Sequence, residues 1–317
     1  LRDAVAEPPP PTPAPEGWGT SPALDARERV LSSPREAAGD LPPPLGGGGQ
    51  GAGAPQRPHA DEIALASPTT VLDHRPVGAN LFELWLSFAR AASCQPGQFV
   101  HVRCGEGLLR RPFSFYRVQR DAVSLLYHVK GKGTRWMSRL TVGDTLDVLG
   151  PLGRGFEPPQ PGDRTLLVGG GVGMAPLAHF VQVHGATHRI WAVAGFRSAN
   201  LVAGLDPFYA TDIPLSVFTD DGTFGRAGRV TDGLAEAISQ HGITRVLTCG
   251  PDPMMRRVAE IARDQGVRCE VSVERPMGCG IGICLGCVVP LTNPDGSIRY
   301  DRACQEGPVF PAEAIAW

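Results

Sequence analysis

The chain has 317 residues, a formal net charge of −2 and eight cysteines. The length allows about two domains with sizeable cores. The near-neutral charge leaves no electrostatic case for nucleic-acid binding.

Residues 1–65 hold 13 of the 31 prolines, a glycine run at 46–49 and few aromatics. Such a segment cannot bury enough apolar surface to offset its ordering entropy, so a disordered tail is expected. The start shows no basic patch followed by an apolar run, and a cytoplasmic chain is expected. The most apolar stretch, Thr165 to Val183, is broken by glycines, Pro176, His179 and Gln182. It reads as a buried strand, loop and helix, and no membrane association is expected.

From 66 to 158 the pattern is strand-rich. Strands are predicted at Thr69–Asp73, Leu81–Phe88, Gln98–Arg103, Phe113–Val118, Ser124–Val129 and Thr145–Leu149, with one short helix from Thr134 to Leu140. Closely spaced strands with little helix predict a small antiparallel β-barrel. Within it, Arg110-Arg111-Pro112-Phe113-Ser114 sets a cation before a strand that carries an aromatic and a hydroxyl. Arg111 suits a pyrophosphate, Phe113 a flat ring and Ser114 a ring nitrogen. Taken alone, the same residues fit a solvated corner and a core phenylalanine. Gly131-Lys132-Gly133-Thr134 opens the short helix, and a glycine turn leading into a helix N-terminus is an anion site. Two such devices in one barrel imply a dinucleotide such as FAD. Leu126, Tyr127 and His128 lead into the turn and are read either as part of that lining or as ordinary strand residues.

Residues 159–270 alternate strand and helix. Strands are predicted at Arg164–Val168, Ile190–Ala194, Leu215–Thr219 and Arg245–Cys249. Helices are predicted at Leu177–Val183, Gly233–Gln240 and Pro253–Asp264, the last with Asp252 as N-cap. This is a doubly wound α/β layout, whose ligands bind at the carboxyl ends of the strands. Gly169-Gly-Gly171-Val-Gly173-Met174-Ala175-Pro176 and Cys249-Gly250-Pro251 both fall there. The first is not a strict G-x-G-x-x-G, but Pro176 at a helix start leaves N–H groups free for a pyrophosphate. Asp220-Asp221-Gly222 follows another strand; a carboxylate there holds a ribose 2′-hydroxyl and repels a 2′-phosphate, favouring NAD over NADP. A solvated turn is the other reading.

In residues 271–317, Cys279, Cys284 and Cys287 fall at C-x4-C-x2-C and Cys304 follows after sixteen intervening residues. This is plant-type [2Fe–2S] ligand spacing. Gly278, Gly280, Gly282 and Gly286 are expected to allow left-handed turns and close approach of backbone N–H groups to the sulfurs. Strands at Val288–Thr292 and Ser297–Arg299, around Asn-Pro-Asp295-Gly296, are predicted to return Cys304 to the loop. The alternative, a zinc site with four cysteine ligands, usually pairs two C-x2-C knuckles, which this spacing does not match. Cys94, Cys104 and Cys269 read as buried free thiols.

Barrel, α/β domain and cluster segment together resemble the ferredoxin–NADP⁺ reductase superfamily. Their order resembles the electron-transfer subunits of class 1B dihydroorotate dehydrogenases over residues 67 to 312. The most specific segment is Val273-Glu274-Arg-Pro-Met-Gly-Cys279 through Cys287. The resemblance implies that Arg111, Pro112, Phe113, Ser114, Gly133 and Thr134 hold FAD, and that Cys279, Cys284, Cys287 and Cys304 ligate a [2Fe–2S] cluster. It implies a partner, an FMN-containing catalytic subunit that oxidises dihydroorotate, in a heterotetramer with two copies of each chain. Electrons then pass through the cluster and FAD to NAD⁺, with no acid–base side chain demanded of this chain. Cys249 is expected near the nicotinamide, and Glu274 near either ring or in a salt bridge. Relatives acting as ferredoxin:NADP⁺ transhydrogenase subunits carry Asp at the first ligand position, where this chain has Cys279. Two alternatives remain: an iron–sulfur flavoprotein reductase serving a ferredoxin, hydrogenase or oxygenase, and a non-catalytic zinc-stapled binding module.

Overall fold

The computed structural model describes residues 67–105, 107 and 109–317. The tail expected at 1–65 lies outside the described residues.

Six strands close a barrel in the order β1-β2-β5-β4-β3-β6. They are β1 (Ser67–Gly78), β2 (Leu81–Ser87), β3 (Phe99–Val102), β4 (Arg111–Gln119), β5 (Ala122–His128) and β6 (Thr145–Leu152). Strand β1 runs past its predicted end because it serves two neighbours, pairing with β6 through Thr70 and with β2 from Val71 onward. Alternation sorts the side chains of β3. Val100 and Val102 join the barrel core, whereas Phe99 packs into the core of the α/β layer. Helix α1 (Lys132–Met137) begins two residues before its predicted start. The Thr134 hydroxyl accepts the N–H groups of Lys130 and Gly131, at 2.9 and 3.1 Å, and so caps the helix from its third position.

The second layer is a seven-stranded sheet in the order β10-β9-β8-β7-β11-β12-β15. Its members are β7 (Arg164–Gly170), β8 (Arg189–Phe196), β9 (Leu215–Thr219), β10 (Arg226–Ala227), β11 (Arg245–Cys249), β12 (Arg268–Ser272) and β15 (Val309–Pro311). The helices are α2 (Met174–His184), α3 (Asp206–Tyr209), α4 (Leu234–His241) and α5 (Asp252–Asp264). Five strands, β7, β8, β9, β11 and β12, make the doubly wound core. The strand order reverses between β7 and β11, the switch point where such sheets bind ligands.

Two helix starts differ from expectation. Helix α2 begins at Met174, three residues early, which makes Pro176 its third residue; that N–H would lack an intrahelical partner in any case. Pro251, in extended backbone, caps α5 instead of Asp252. Asp252 is the first helical residue, and its carboxylate pairs with Arg275 at 3.0 Å.

Helix α2 lies against barrel strand β4 and joins the two layers. The Gln182 carboxamide accepts the Val118 N–H and donates to the Val118 carbonyl, at 2.9 and 2.6 Å. Arg117 of β4 pairs with Asp206 of α3 at 2.8 Å.

The C-terminal segment is not packed apart from the sheet. Hairpin strands β13 (Val288–Thr292) and β14 (Ile298–Arg302) turn at Asn293–Gly296, where Gly296 has φ +83°. Strand β14 runs to Arg302, beyond the predicted Arg299. The chain then adds β15 antiparallel to β12, and Cys287, Val289, Ala303, Cys304 and Phe310 share one apolar core with the sheet. The boundary expected at 270/271 falls within β12.

Candidate functional site

Three loop systems meet at one end of the molecule. The first lies on the barrel. Arg110 is tied to Asp147, its guanidinium reaching the Asp147 carbonyl at 2.9 Å as well as the carboxylate. Arg111 is exposed; it donates only to the carbonyls of Leu109 and Arg110, at 3.0 and 3.1 Å, and among the described residues it pairs with no carboxylate. Gly133 is packed beside it: a Cβ there would lie 3.6 Å from Arg111 Cγ and 3.2 Å from Cys104 Cβ. The cation and the glycine turn therefore adjoin one another. Pro112, Phe113 and Ser114 are half-buried alongside. The Thr134 hydroxyl is occupied by its capping bonds.

The adjoining β5 residues divide by face. Tyr127 is buried in the barrel core, where its hydroxyl meets His74 Nε2 at 2.9 Å and its ring stands edge-on to Phe113. Leu126 is buried on the opposite face, in the core shared with Met174 of α2. His128 is half-buried, and its pKa is lowered by burial and by the charges of Lys130 and Arg197. Arg197 stands at the end of β8, so these three basic residues mark the seam between the layers. His128 is among the residues that lead into the glycine turn, whereas Arg197 lies in no motif.

The second system is the switch-point crevice. Cys249 and Gly169 are register partners, and the loops after β11 and β7 touch. A Cβ on Gly173 would lie 2.6 Å from the Cys249 carbonyl carbon and 2.8 Å from Gly250 N; one on Gly170 would lie 3.0 Å from Pro251 Cδ. No side chain caps helix α2; the Met174 N–H closes the preceding turn onto the Gly171 and Val172 carbonyls. Gly171, with φ +56°, makes the turn that enters it. Burial pushes the Cys249 thiol up to about 12, opposed by a bond to Ser272, so it stays a neutral thiol. Ser272 was not anticipated; its signal is its register position opposite Cys249 at the end of the next strand. Asp220 and Asp221 stand exposed at the end of β9. The Asp221 carboxylate accepts the Thr223 hydroxyl and N–H at 2.6 and 3.1 Å. It is thus committed to the turn, and Asp220 is the better ribose candidate. Glu274 is exposed and forms no ion pair with a described residue, against the expectation of a salt bridge.

The third system is the cysteine loop, which divides into two pairs. The N–H groups of Cys279 and Cys284 each point to the other's sulfur, at 3.4 Å. Cys287 and Cys304 are buried and hydrogen-bond to one another, the Ala303 N–H to the Cys287 carbonyl holding them in register at 2.9 Å. Further N–H groups, from Ile281 to Cys279 and from Gly286 to Cys284, lie 3.5 and 3.4 Å from their sulfurs. Burial opposes ionisation of Cys279, but the N–H groups of Cys284 and Ile281 outweigh it and bring its thiol down to about 6. Cys304 is pushed up to about 12 by burial and by Cys287.

The four loop glycines have two roles. Gly280 and Gly282 are left-handed, at φ +75° and +83°. Gly278 and Gly286 are not; they leave room for Cys284, whose Sγ would lie 3.1 and 3.4 Å from a Cβ at each. The third left-handed residue is Leu285, at φ +55°. Among the described residues no three His, Cys, Asp or Glu side chains converge on a single point. Two thiol pairs, the Cys279–Cys284 pair faced by four N–H groups, suit a [2Fe–2S] cluster, which takes four cysteine thiolates. Of the other cysteines, all free, Cys104 and Cys269 are buried and Cys94 is only half-buried.

Residues 274–316 match the profile of the iron-sulfur cluster binding domain of dihydroorotate dehydrogenase B, a span that includes all four thiols. The dihydroorotate dehydrogenase B (NAD(+)) electron transfer subunit of Desulforamulus reducens is 39% identical over 228 residues, 70% of this chain and 87% of that protein. The chain belongs to this family. The subunit of the same name from Caldanaerobacter subterraneus subsp. tengcongensis is 36% identical, over 77% of this chain and 96% of its own length. Among solved structures, the NADH-dependent reduced ferredoxin-NADP oxidoreductase, described for flavin-based electron bifurcation, superposes with a TM-score of 0.69 at 29% identity. That match covers 78% of this chain and 90% of the other. An Amycolatopsis cytochrome P450 reductase shares the fold, with a TM-score of 0.56 at 22% identity over 63% of this chain and 66% of the other. In this member of the electron transfer subunit family, the barrel, the α/β layer and the cysteine segment share packed cores. Among its described residues no helix is long and apolar enough to cross a membrane.

Proposed function

We propose that this chain carries electrons between a dihydroorotate-oxidising catalytic subunit and NAD⁺. When bound, the [2Fe–2S] cluster passes single electrons and FAD exchanges them for the hydride carried by NADH. The chain's own residues supply binding, spacing and polarity. Cys279 with Cys284 and Cys287 with Cys304 hold the cluster. Arg111 neutralises the FAD pyrophosphate, the Gly133 turn admits it, and Ser114 offers its hydroxyl to a ring nitrogen. Gly171, Gly173 and the first turn of α2 receive the NAD pyrophosphate, and the neutral Cys249 thiol, bonded to Ser272, lines the nicotinamide end. Pro112, Phe113, the main chain of 126–128 and Pro251 complete the walls.

One observation carries this reading. The cysteine loop rests on the His101 side chain of β3, and β3 pairs with the Arg111–Ser114 stretch of β4, so the two redox sites share one strand. The loop also presents Ile283 and Leu285 at 76% and 61% exposure. Exposed apolar side chains beside a ligand set suit a docked protein partner, here the FMN-containing catalytic subunit, with two copies of each chain in the assembly. Eight free thiols suit a cytoplasmic protein.

The test is dihydroorotate-dependent NAD⁺ reduction without oxygen, in a mixture of this chain and the catalytic subunit from the same source. Activity that needs both chains supports the reading. Its absence, from a coloured protein that NADH still bleaches, favours a second reading in which the same machinery serves another electron acceptor; the likeness to the ferredoxin-NADP oxidoreductase structure is the reason to keep it.

Two substitutions probe the nucleotide sites. Arg111→Ala removes a charge-assisted contact worth roughly 1.5–3 kcal/mol, so FAD should be held about 10- to 100-fold more weakly. Flavin content after dialysis measures this, and undiminished content would argue against the assignment. Asp220→Ser should narrow the preference for NADH over NADPH by about tenfold, the equivalent of 1.4 kcal/mol. An unchanged ratio of kcat/KM values removes Asp220 as the selector.

A further inference from the structure

His101 is the central residue of β3 that points away from the barrel interior, and it is fully buried at 0% exposure. Its strand neighbours are Pro112 on β4 and Leu149 on β6, which sets it beside the Arg111–Ser114 stretch. Gly280 of the cysteine loop lies flat on the ring. A Cβ at 280 would meet His101 Nδ1 at 2.6 Å, Cγ at 3.2 Å and Cε1 at 3.3 Å. Neither ring nitrogen has a partner at full hydrogen-bond geometry. The backbone of Cys279 lies within interaction range of the imidazole, and so does the backbone of Arg110. Arg110 also spans the strand, its guanidinium 3.5 Å from the His101 carbonyl. A buried polar ring is costly unless it is used, and the groups beside this one belong to the two redox sites.

We infer that His101 is the positioning residue that sets the cysteine loop against the strand carrying Arg111–Ser114. The inference rests on the proposed cluster and flavin sites. An N–H on either ring nitrogen has a backbone carbonyl to approach, Cys279 on the loop or Arg110 at the head of β4. Gly280 sits between Cys279 and Ile281, whose N–H groups face the Cys284 and Cys279 sulfurs. Moving the ring therefore moves the N–H donors that surround the thiolates, and such donors set the electronic properties of a cluster. The role is not ligation, and the ring touches no reacting atom.

The experiment compares the cofactor-loaded chain with His101→Leu and His101→Gln. Iron, sulfide and flavin are measured first; a wild-type protein without iron would overturn the cluster assignment and this inference with it. With loading intact, His101→Leu should keep its cofactors and shift both the visible circular dichroism of the oxidised cluster and the EPR g-values of the reduced one. Amide exchange over 277–287 should quicken by about tenfold, as for a loop that has lost a tether. His101→Gln, which restores one N–H donor, should return these signatures toward wild type. Unchanged spectra and exchange in His101→Leu, or a His101→Gln no closer to wild type than His101→Leu, would overturn the inference. Should His101→Leu not fold, Gly280→Ala displaces the loop from the other side; it should give the same spectral shifts, and unchanged spectra in that variant would overturn the inference equally.

Discussion

Cys284→Ser should yield a folded, yellow flavoprotein without iron–sulfur absorbance. Its dihydroorotate-linked NAD⁺ reduction should fall on the order of a thousandfold, about 4 kcal/mol when expressed as an activation free energy. The site makes the experiment clean. Cys284 is exposed, and its Sγ rests among Gly278, Gly286 and the N–H groups of Cys279 and Gly286. Serine fits that space but does not ionise to a soft thiolate, so the ligand is lost while the fold is kept. Stability should change by no more than about 0.5 kcal/mol, as at other surface positions. NADH should still bleach the flavin, because the nucleotide crevice is untouched. Cys304→Ser tests the same assignment with an added cost. Cys304 is 1% exposed in the main core, and a hydroxyl there without a good acceptor costs about 1–3 kcal/mol. The two variants should therefore share the spectral loss and differ in thermal midpoint. A cluster spectrum that survives Cys284→Ser contradicts the ligand set.

Gly173→Ala should lower kcat/KM for NADH by about a hundredfold, close to 3 kcal/mol, while flavin and iron content stay at wild-type levels. The cause is proximity, not backbone conformation. Gly173 has φ −63°, which alanine adopts freely. The added methyl would meet the Cys249 carbonyl carbon at 2.6 Å and Gly250 N at 2.8 Å, so two main chains must part. Those main chains are the two lips of the switch-point crevice, and the reacting geometry of hydride transfer tolerates little displacement. Gly171 provides the contrast. It is left-handed, yet a Cβ there would meet nothing within 4 Å. Gly171→Ala should cost only local strain, about 1–2 kcal/mol, with a far smaller kinetic effect. Steady-state NADH oxidation with an artificial acceptor measures both. Equal losses in the two variants would show that contact between the lips is not what shapes the crevice.

Local chemistry was legible from the residues. The first three ligand cysteines, the Arg-Pro-Phe-Ser strand start, the glycine loop and the Cys-Gly-Pro turn each lie within a dozen residues. Helix starts were less legible, because caps depend on which backbone groups remain unpaired. Thr134 caps α1 from inside the helix, and Pro251 displaces Asp252 at α5. Leu126 and Tyr127 show the limit of motif reading. Both lead into the glycine turn, and both side chains go into apolar cores, because alternation along β5 gives one to the barrel and the other to α2.

The sequence by itself determined the kinds of chemistry: four thiols at cluster spacing, two nucleotide-binding patterns and the order in which they follow one another. These are short-range properties, set by residue type and by separations that the chain fixes covalently. Only the tertiary structure decided how the sites meet. Strand β15 returns to pair with β12 and so builds the cysteine segment into the α/β core. Gly280 comes to rest on His101, nearly 180 positions earlier by the numbering, and Arg197 comes within reach of His128. No periodicity encodes such contacts. They follow from long-range packing, in which apolar faces are buried together and the polar groups caught between them are held where they lie.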